Sequence, residues 1–274
     1  KTGIQARHVV TEELASDLAV GAAEALFEKT GIDRTTIDFM LLCTQSPDYF
    51  LPTTACLVQD RLGLPTSLGA LDFNLGCSGY VYGLALAKGL LKTYASKRLL
   101  LITSEIYSRH IHPMDKSTRT IFGDGATATL LEEEDVNRIG QFVFGTDGSG
   151  APNLMVPAGG MALPRSRETA KEESDKAGNV RSANNLYMNG PEIFSFTLRA
   201  VPDLIKKTLK KNNLTMSDID CFIFHQANKF ILESLRDKLE IPHDRFVIDV
   251  EEVGNTVSST IPIALQRSLE QGII

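Results

Sequence analysis

Three residues of this sequence have the types and settings for nucleophilic chemistry: Cys77, His225 and Asn255. Cys77 lies in Asn74-Leu-Gly-Cys-Ser-Gly-Tyr80, where a strand ends, Gly76 permits a sharp turn and a helix begins. A thiol at a helix N-terminus faces unpaired N–H groups and the positive end of the dipole, which favour a thiolate. The same N–H groups can hold a developing oxyanion. A cysteine in an α/β chain is more often a packing residue, and the turn is what puts the nucleophile reading level with that one. His225 follows a buried run in Phe224-His-Gln-Ala-Asn228. A core histidine with one hydrogen bond is the ordinary reading, but the neighbouring Gln226 and Asn228 make a cluster of polar groups at one strand end. Asn255, in Gly254-Asn-Thr-Val-Ser-Ser259, is by itself a routine helix N-cap. His8, His110, His112 and His243 fall in loops or at element ends, without metal-ligand spacing on a helix, and receive no role. No metal site is expected.

The elements that must position these residues alternate between helices and short apolar strands. Apolar spacing predicts a helix over residues 11–29 with Thr11 as its N-cap. Strands are expected at 39–44, 68–73, 98–103 and 125–131, and helices at 53–62 and 78–94. The second half continues with strands at 140–145, 221–224 and 245–250 and helices at 191–211, 229–239 and 257–270. Continuous apolar strands alternating with helices imply an α/β fold with helices on both sheet faces. Residues 158–185 are polar and weakly patterned, and read as a surface cap or lid.

The two halves look like copies. Ile37-Asp-Phe-Met-Leu-Leu-Cys-Thr-Gln45 resembles Ile219-Asp-Cys-Phe-Ile-Phe-His-Gln226 with one gap. Leu71-Asp-Phe-Asn-Leu-Gly-Cys77 resembles Ile248-Asp-Val-Glu-Glu-Val-Gly-Asn255. A boundary near 135/136 divides the chain into residues 1–135, with Cys77, and 136–274, with His225 and Asn255. Duplicated α/β units place equivalent loops face to face, which brings Cys77 and Asn255 together at strand ends, where α/β proteins put their sites.

Composition limits the remaining classes. The 274 residues are 43% hydrophobic and 23% charged. That is the make-up of a globular protein with a core of its own. A net charge of −6 without long basic runs argues against nucleic-acid binding. The apolar stretches are too short for a membrane span, and no signal-peptide pattern is present. Cys43, Cys56, Cys77 and Cys221 lack CxxC or zinc-finger spacing and read as free thiols in a reducing, cytoplasmic setting.

Leu75-Gly-Cys-Ser-Gly-Tyr-Val-Tyr-Gly83, Phe122-Gly-Asp-Gly-Ala126, His225-Gln-Ala-Asn228 and Gly254-Asn-Thr256 occur in this order. Together they resemble the motifs of the β-ketoacyl-[acyl-carrier-protein] synthase III family of the thiolase superfamily, over essentially the whole chain. The resemblance implies a five-layered αβαβα fold of two duplicated halves related by a pseudo-twofold, a homodimer, and a Cys77-His225-Asn255 triad. It implies a decarboxylating Claisen condensation. Cys77 is acylated by an acyl thioester, CoA or acyl-carrier protein, and the acyl group then meets a malonyl thioester on a carrier protein. His225 Nε2 and Asn255 Nδ2 would donate to the thioester carbonyl, with no metal or redox cofactor. An acyltransferase variant, a non-catalytic partner subunit and a cysteine hydrolase are the alternatives, and the presence of Cys77 speaks for the enzyme.

Around the triad the sequence departs from the family pattern. Lys1 and Lys116 stand where Arg is usual for the phosphopantetheine donor, and Lys is a point charge rather than a fork. Lys116, Asn228 and Lys229 are the candidate donor contacts. Leu51 matches a position that reaches across the dimer to floor the partner's acyl pocket, and Leu in place of a larger aromatic leaves room for primers longer than acetyl. Lys206, Lys207, Lys210 and Lys211 form a candidate docking patch for an acidic carrier, although a solvated helix face is the plainer reading. Family members are longer by resemblance, so both ends of this chain read as truncated.

Overall fold

In the computed structural model, residues 2–93, 97–136 and 138–274 are described. The first half runs α1 (Ala15–Thr30), β1 (Phe39–Cys43), α2 (Thr54–Arg61), β2 (Gly69–Phe73), α3 (Gly79–Thr93), β3 (Arg98–Glu105), α4 (Lys116–Arg119) and β4 (Gly125–Glu132). The four strands form one sheet in the order β2-β1-β3-β4, with β1 parallel to both its neighbours and β4 antiparallel to β3. Side chains alternate across the strands and both faces are apolar. Met40, Leu42, Leu100 and Ile102 face Ala19, Ala23 and Phe27 of α1 and Ala55 and Val58 of α2. Leu41, Leu99 and Leu101 face Tyr80, Ala87 and Leu91 of α3. Burial on both faces is why these strands read as unbroken apolar runs.

Helix α1 begins three residues later than Thr11 as N-cap would set it. Thr11 turns its N–H and hydroxyl to Glu13 Oε2 (2.9 and 3.3 Å), while Asp17 Oδ2 accepts from Leu14 N (2.7 Å) at the true helix start. The expected end of the next long helix, at Tyr94, lies outside the described residues.

The second half contains β5 (Leu154–Met155), β6 (Glu173–Ser174), β7 (Val180–Arg181), β8 (Tyr187–Met188), α5 (Gly190–Lys211), α6 (Lys229–Lys238) and α7 (Thr260–Glu270). Its expected long strands are not formed. Segments 221–224 and 245–250 share a single parallel bridge, Phe222–Phe246, within an apolar cluster that includes Leu232 and Val250. Beyond the bridge, the buried Gln226 amide does the pairing: Nε2 donates to Phe224 O (2.7 Å) and Val247 O (3.4 Å), and Oε1 accepts from Asp249 N (2.7 Å). Segment 140–145 is likewise held by side chains. Asn212 accepts from Gln141 N (2.7 Å) and donates to Gln141 O (2.9 Å), and Lys211 Nζ donates to Phe142 O (3.0 Å). Apolar periodicity registers burial; it does not register whether a neighbouring backbone or a side chain supplies the hydrogen bonds.

The 158–185 segment is an ordered excursion. It carries the small β6–β7 ladder and is fastened by Arg181, which pairs with buried Asp115 (2.9 Å) and with Asp175 (2.8 Å). Helix α7 joins the halves, because its Ile261 packs into the α3 side of the sheet core. No helix among the described residues is long and apolar enough to cross a membrane.

Candidate active site

Cys77 sits in the turn between β2 and α3. Gly79 N donates to Gly76 O (2.8 Å), and the turn is wedged into place by close approach. A Cβ on Gly76 would lie 2.6 Å from Gln45 Oε1, and one on Gly79 would collide with Cys43 Sγ. The Cys77 side chain packs against the cluster of Tyr107, Phe122, Leu186 and Val257. Burial pushes the thiol up to about 12, with the charge of Glu105 adding to the shift and the residue's own N–H opposing it. Desolvation thus works against the thiolate that the helix terminus favours.

Asn255 is held by backbone on both sides. Asn255 N donates to Ile121 O (2.9 Å) and Gly123 N donates to Asn255 O (3.0 Å). A Cβ on Gly123 would lie 2.5 Å from Val253 O, and one on Gly254, at φ +66°, would lie 2.7 Å from Ile121 O. Asp124 anchors this turn by accepting from Val10 N (2.9 Å) and from Ser108 N (2.9 Å) and Oγ (2.5 Å). The Phe122-Gly-Asp-Gly motif is thus the clamp on Asn255. Asn255 Oδ1 accepts from Val257 N (2.9 Å), which leaves Nδ2 free to donate.

His225 is neutral, because burial pushes its imidazole down to about 4. Its Nδ1 lies 2.7 Å from Thr260 Oγ1, and the Thr260 hydroxyl donates to Val257 O (3.1 Å). With its hydrogen used there, Thr260 accepts from Nδ1–H, so the lone pair sits on Nε2. The imidazole is neutral as expected, and with this tautomer Nε2 donates only after it has taken up a proton.

Cys77, His225 and Asn255 line one cavity of about 2330 Å³. Asn228 lines it too, while its Oδ1 caps α6 by accepting from Ile231 N (3.0 Å). Leu51, Lys116 and Lys229 do not line it. Lys116 is exposed at the start of α4, Lys229 lies against Gly3 and within 4.0 Å of Glu233, and Leu51 is 84% exposed. Lys1 lies outside the described residues. The 158–185 segment contributes Gly159, Gly160 and Arg165 to the wall, as a cap would.

Sequence reasoning missed Glu105, Tyr107, His110 and Thr260. Tyr107 lines the cavity, donates to Gln45 Oε1 (2.6 Å) and meets the His110 ring edge-on. The signal available was a polar group shortly after a continuous apolar run: Glu105 and Tyr107 come within five residues of Leu99–Ile102, and Gln226 two residues after Phe224.

An α/β core with a turn-borne thiol, an imidazole and a carboxamide on one cavity defines the thiolase-like class of acyl-thioester enzymes. The 3-oxoacyl-[acyl-carrier-protein] synthase III family model matches residues 71–148, and its C-terminal model matches residues 209–274. A β-ketoacyl-[acyl-carrier-protein] synthase III of Koribacter versatilis is 36% identical over 276 residues, covering 99% of this chain and 80% of the relative. A crystal structure of a 3-oxoacyl-(acyl-carrier-protein) synthase III is 51% identical, with a TM-score of 0.97 over 100% of this chain and 82% of the other. A 3-oxoacyl-(acyl-carrier protein) synthase from Burkholderia xenovorans LB400 is 39% identical, with a TM-score of 0.90, covering 99% of this chain and 76% of the other. The chain belongs to the 3-oxoacyl-[acyl-carrier-protein] synthase III family. It is an acyl-transferring synthase with the thiolase fold.

Proposed function

We propose that this synthase joins an acyl primer thioester to malonyl-acyl carrier protein, with loss of carbon dioxide, through an acyl-Cys77 intermediate. The observation that carries the reading is the convergence of a thiol, an acceptor imidazole and a free carboxamide donor on one cavity. In acylation, Cys77 Sγ attacks the primer carbonyl while His225 Nε2 takes its proton. N–H groups of the turn, including that of Cys77, hold the tetrahedral oxyanion. The leaving thiolate departs with the proton that His225 Nε2 took from Cys77. In condensation, the anionic malonyl group lets His225 Nε2 take up a proton from solvent. That Nε2–H and Asn255 Nδ2–H donate to the malonyl thioester oxygen as the carboxylate leaves as carbon dioxide. The enolate carbon attacks acyl-Cys77, the C–S bond breaks, and the released thiolate recovers the proton from His225. Side chains and backbone carry every step, and we propose that no cofactor takes part.

The homodimer, the carriers and the cytoplasmic location belong to the same reading. Tyr49, Phe50 and Leu51 are exposed in succession, by 59%, 78% and 84%. A second copy would bury such an apolar projection. Leu51 would then reach the partner's cavity, and primers longer than acetyl are the expected substrates. For carrier docking, Lys206 and Lys238 share a shallow groove with Arg199, whereas Lys207 is paired with Asp203 (2.6 Å). Of the donor contacts proposed, Asn228 has the best position because it lines the cavity. Residues 1–135 supply the nucleophile and 136–274 the proton acceptor and donor.

Mass spectrometry after incubation with acyl-CoA tests the assignment. Wild type gains the acyl mass on Cys77, Cys77→Ala gains none, and His225→Ala is acylated in part and forms no 3-oxoacyl product. Acyl transfer surviving in Cys77→Ala would contradict the reading.

A further inference from the structure

Glu105 ends β3 with none of its surface exposed, and the mechanism above gives it no part. Its partners are a backbone N–H and the hydroxyls of Ser258 and Ser46, not a cation. Oε2 accepts from Gln45 N (3.0 Å) and Oε1 from Ser258 Oγ (2.7 Å). Each partner leads to a different side of the site. Gln45 Nε2 donates to Asn74 Oδ1 (3.0 Å), at the entry to the Cys77 turn, and its Oε1 holds Tyr107. Ser258 adjoins Val257, whose N–H is bound by Asn255 and whose carbonyl receives the Thr260 hydroxyl beside His225. Ser258 Cβ would also be 3.2 Å from a Cβ on Gly79. One buried carboxyl group therefore touches the supports of all three reacting side chains.

We propose that Glu105 is a positioning residue that ties the Cys77 turn to the Asn255–Ser258 loop, and that its charge controls how readily Cys77 ionises. The inference rests on Cys77 being the nucleophile, as proposed above. Among the described residues, four titratable groups face Glu105: Cys43 on β1, Cys77 before α3, Tyr107 after β3 and Asp124 before β4. Burial pushes the Glu105 carboxyl up to about 8, so near neutral pH it is mostly protonated and adds little negative charge beside the sulfur. Once ionised, it disfavours the Cys77 thiolate. The sign is definite: as pH rises through the Glu105 transition, the thiolate fraction of Cys77 climbs by less than tenfold per pH unit.

Alkylation of Cys77 by iodoacetamide, followed by peptide mass spectrometry from about pH 6 to about pH 10, reads this coupling without any condensation. In wild type the rate rises tenfold per pH unit and bends to a shallower slope near pH 8. Glu105→Gln keeps the size and hydrogen-bonding capacity but cannot ionise, so its profile is straight and exceeds wild type above the bend. A straight wild-type profile, or a bend that persists in Glu105→Gln, overturns the coupling. Should Glu105→Gln fail to fold, 13C-carboxyl NMR of glutamate-labelled wild type must show a group titrating together with the bend, and its absence overturns the proposal. Glu105→Asp withdraws the carboxyl from Ser258 and Gln45, so kcat for condensation falls by about 10²-fold with KM little changed. An Asp variant with wild-type kcat overturns the positioning role. A bent profile in an enzyme that never becomes acylated would leave the Glu105–Cys77 coupling standing and remove the proposed function.

Discussion

The turns that carry Cys77 and Asn255 follow the same order of extended segment, glycine, polar residue and helix, yet they are fixed by opposite means. The Cys77 turn is held by packing: glycines let it lie against Gln45, Cys43 and Ser258, and the sulfur rests among Tyr107, Phe122 and Val257. The Asn255 turn is held by hydrogen bonds on both backbone sides and through its own side-chain oxygen. The difference follows from the work of each atom. A nucleophile must move toward carbon and lose its proton, so its sulfur is held by shape and kept neutral by burial. A donor to a developing enolate must already point the right way, so its carboxamide is locked.

Breaking the locked turn should have the larger effect on structure. Gly254→Ala places a Cβ 2.7 Å from Ile121 O at φ +66°. Unfolding in urea should therefore show a loss of about 1–3 kcal/mol. Condensation should fall with it more than acylation of Cys77, whose turn meets this loop through Ser258 but is also packed against Gln45 and Cys43. Equal loss of both steps would show that the two turns are one mechanical unit. A smaller perturbation sharpens the comparison from the His225 side. Asn228→Ala removes the N-cap of α6. It should cost about 1 kcal/mol in the same unfolding measurement. Because Asn228 also faces the cavity, a rise in KM for the acyl donor beyond that change would mark it as a donor contact.

Much of this site was legible in the sequence because its chemistry-bearing residues stand at the ends of apolar segments, Cys77 and Asn255 next to glycine and His225 beside Gln226 and Asn228. Cys77, His225 and Asn255 were found that way, and the internal likeness of the halves brought them together. Glu105 was not, since its partners Gln45 and Ser258 lie 60 and 153 residues away and only the fold places them. The opposing pull on the Cys77 thiolate was hidden for a related reason: the helix terminus is local and readable, whereas the desolvation that works against it belongs to the assembled core. In the first half, every buried strand is where the apolar runs put it. In the second half, Gln226 and Asn212 replace strand neighbours with side-chain amides, a substitution that periodicity does not register.

The division of labour between the two turns is tested most directly by trapping the intermediate in Asn255→Ala. The variant is mixed with acyl-CoA and malonyl-acyl carrier protein, and Cys77 is followed by mass spectrometry. The account predicts that acyl-Cys77 forms at close to the wild-type rate and then persists, because loss of the Asn255 donor slows decarboxylation and condensation by about 10²–10³-fold. Failure to acylate Cys77, or turnover of the acyl enzyme at the wild-type rate, would contradict it.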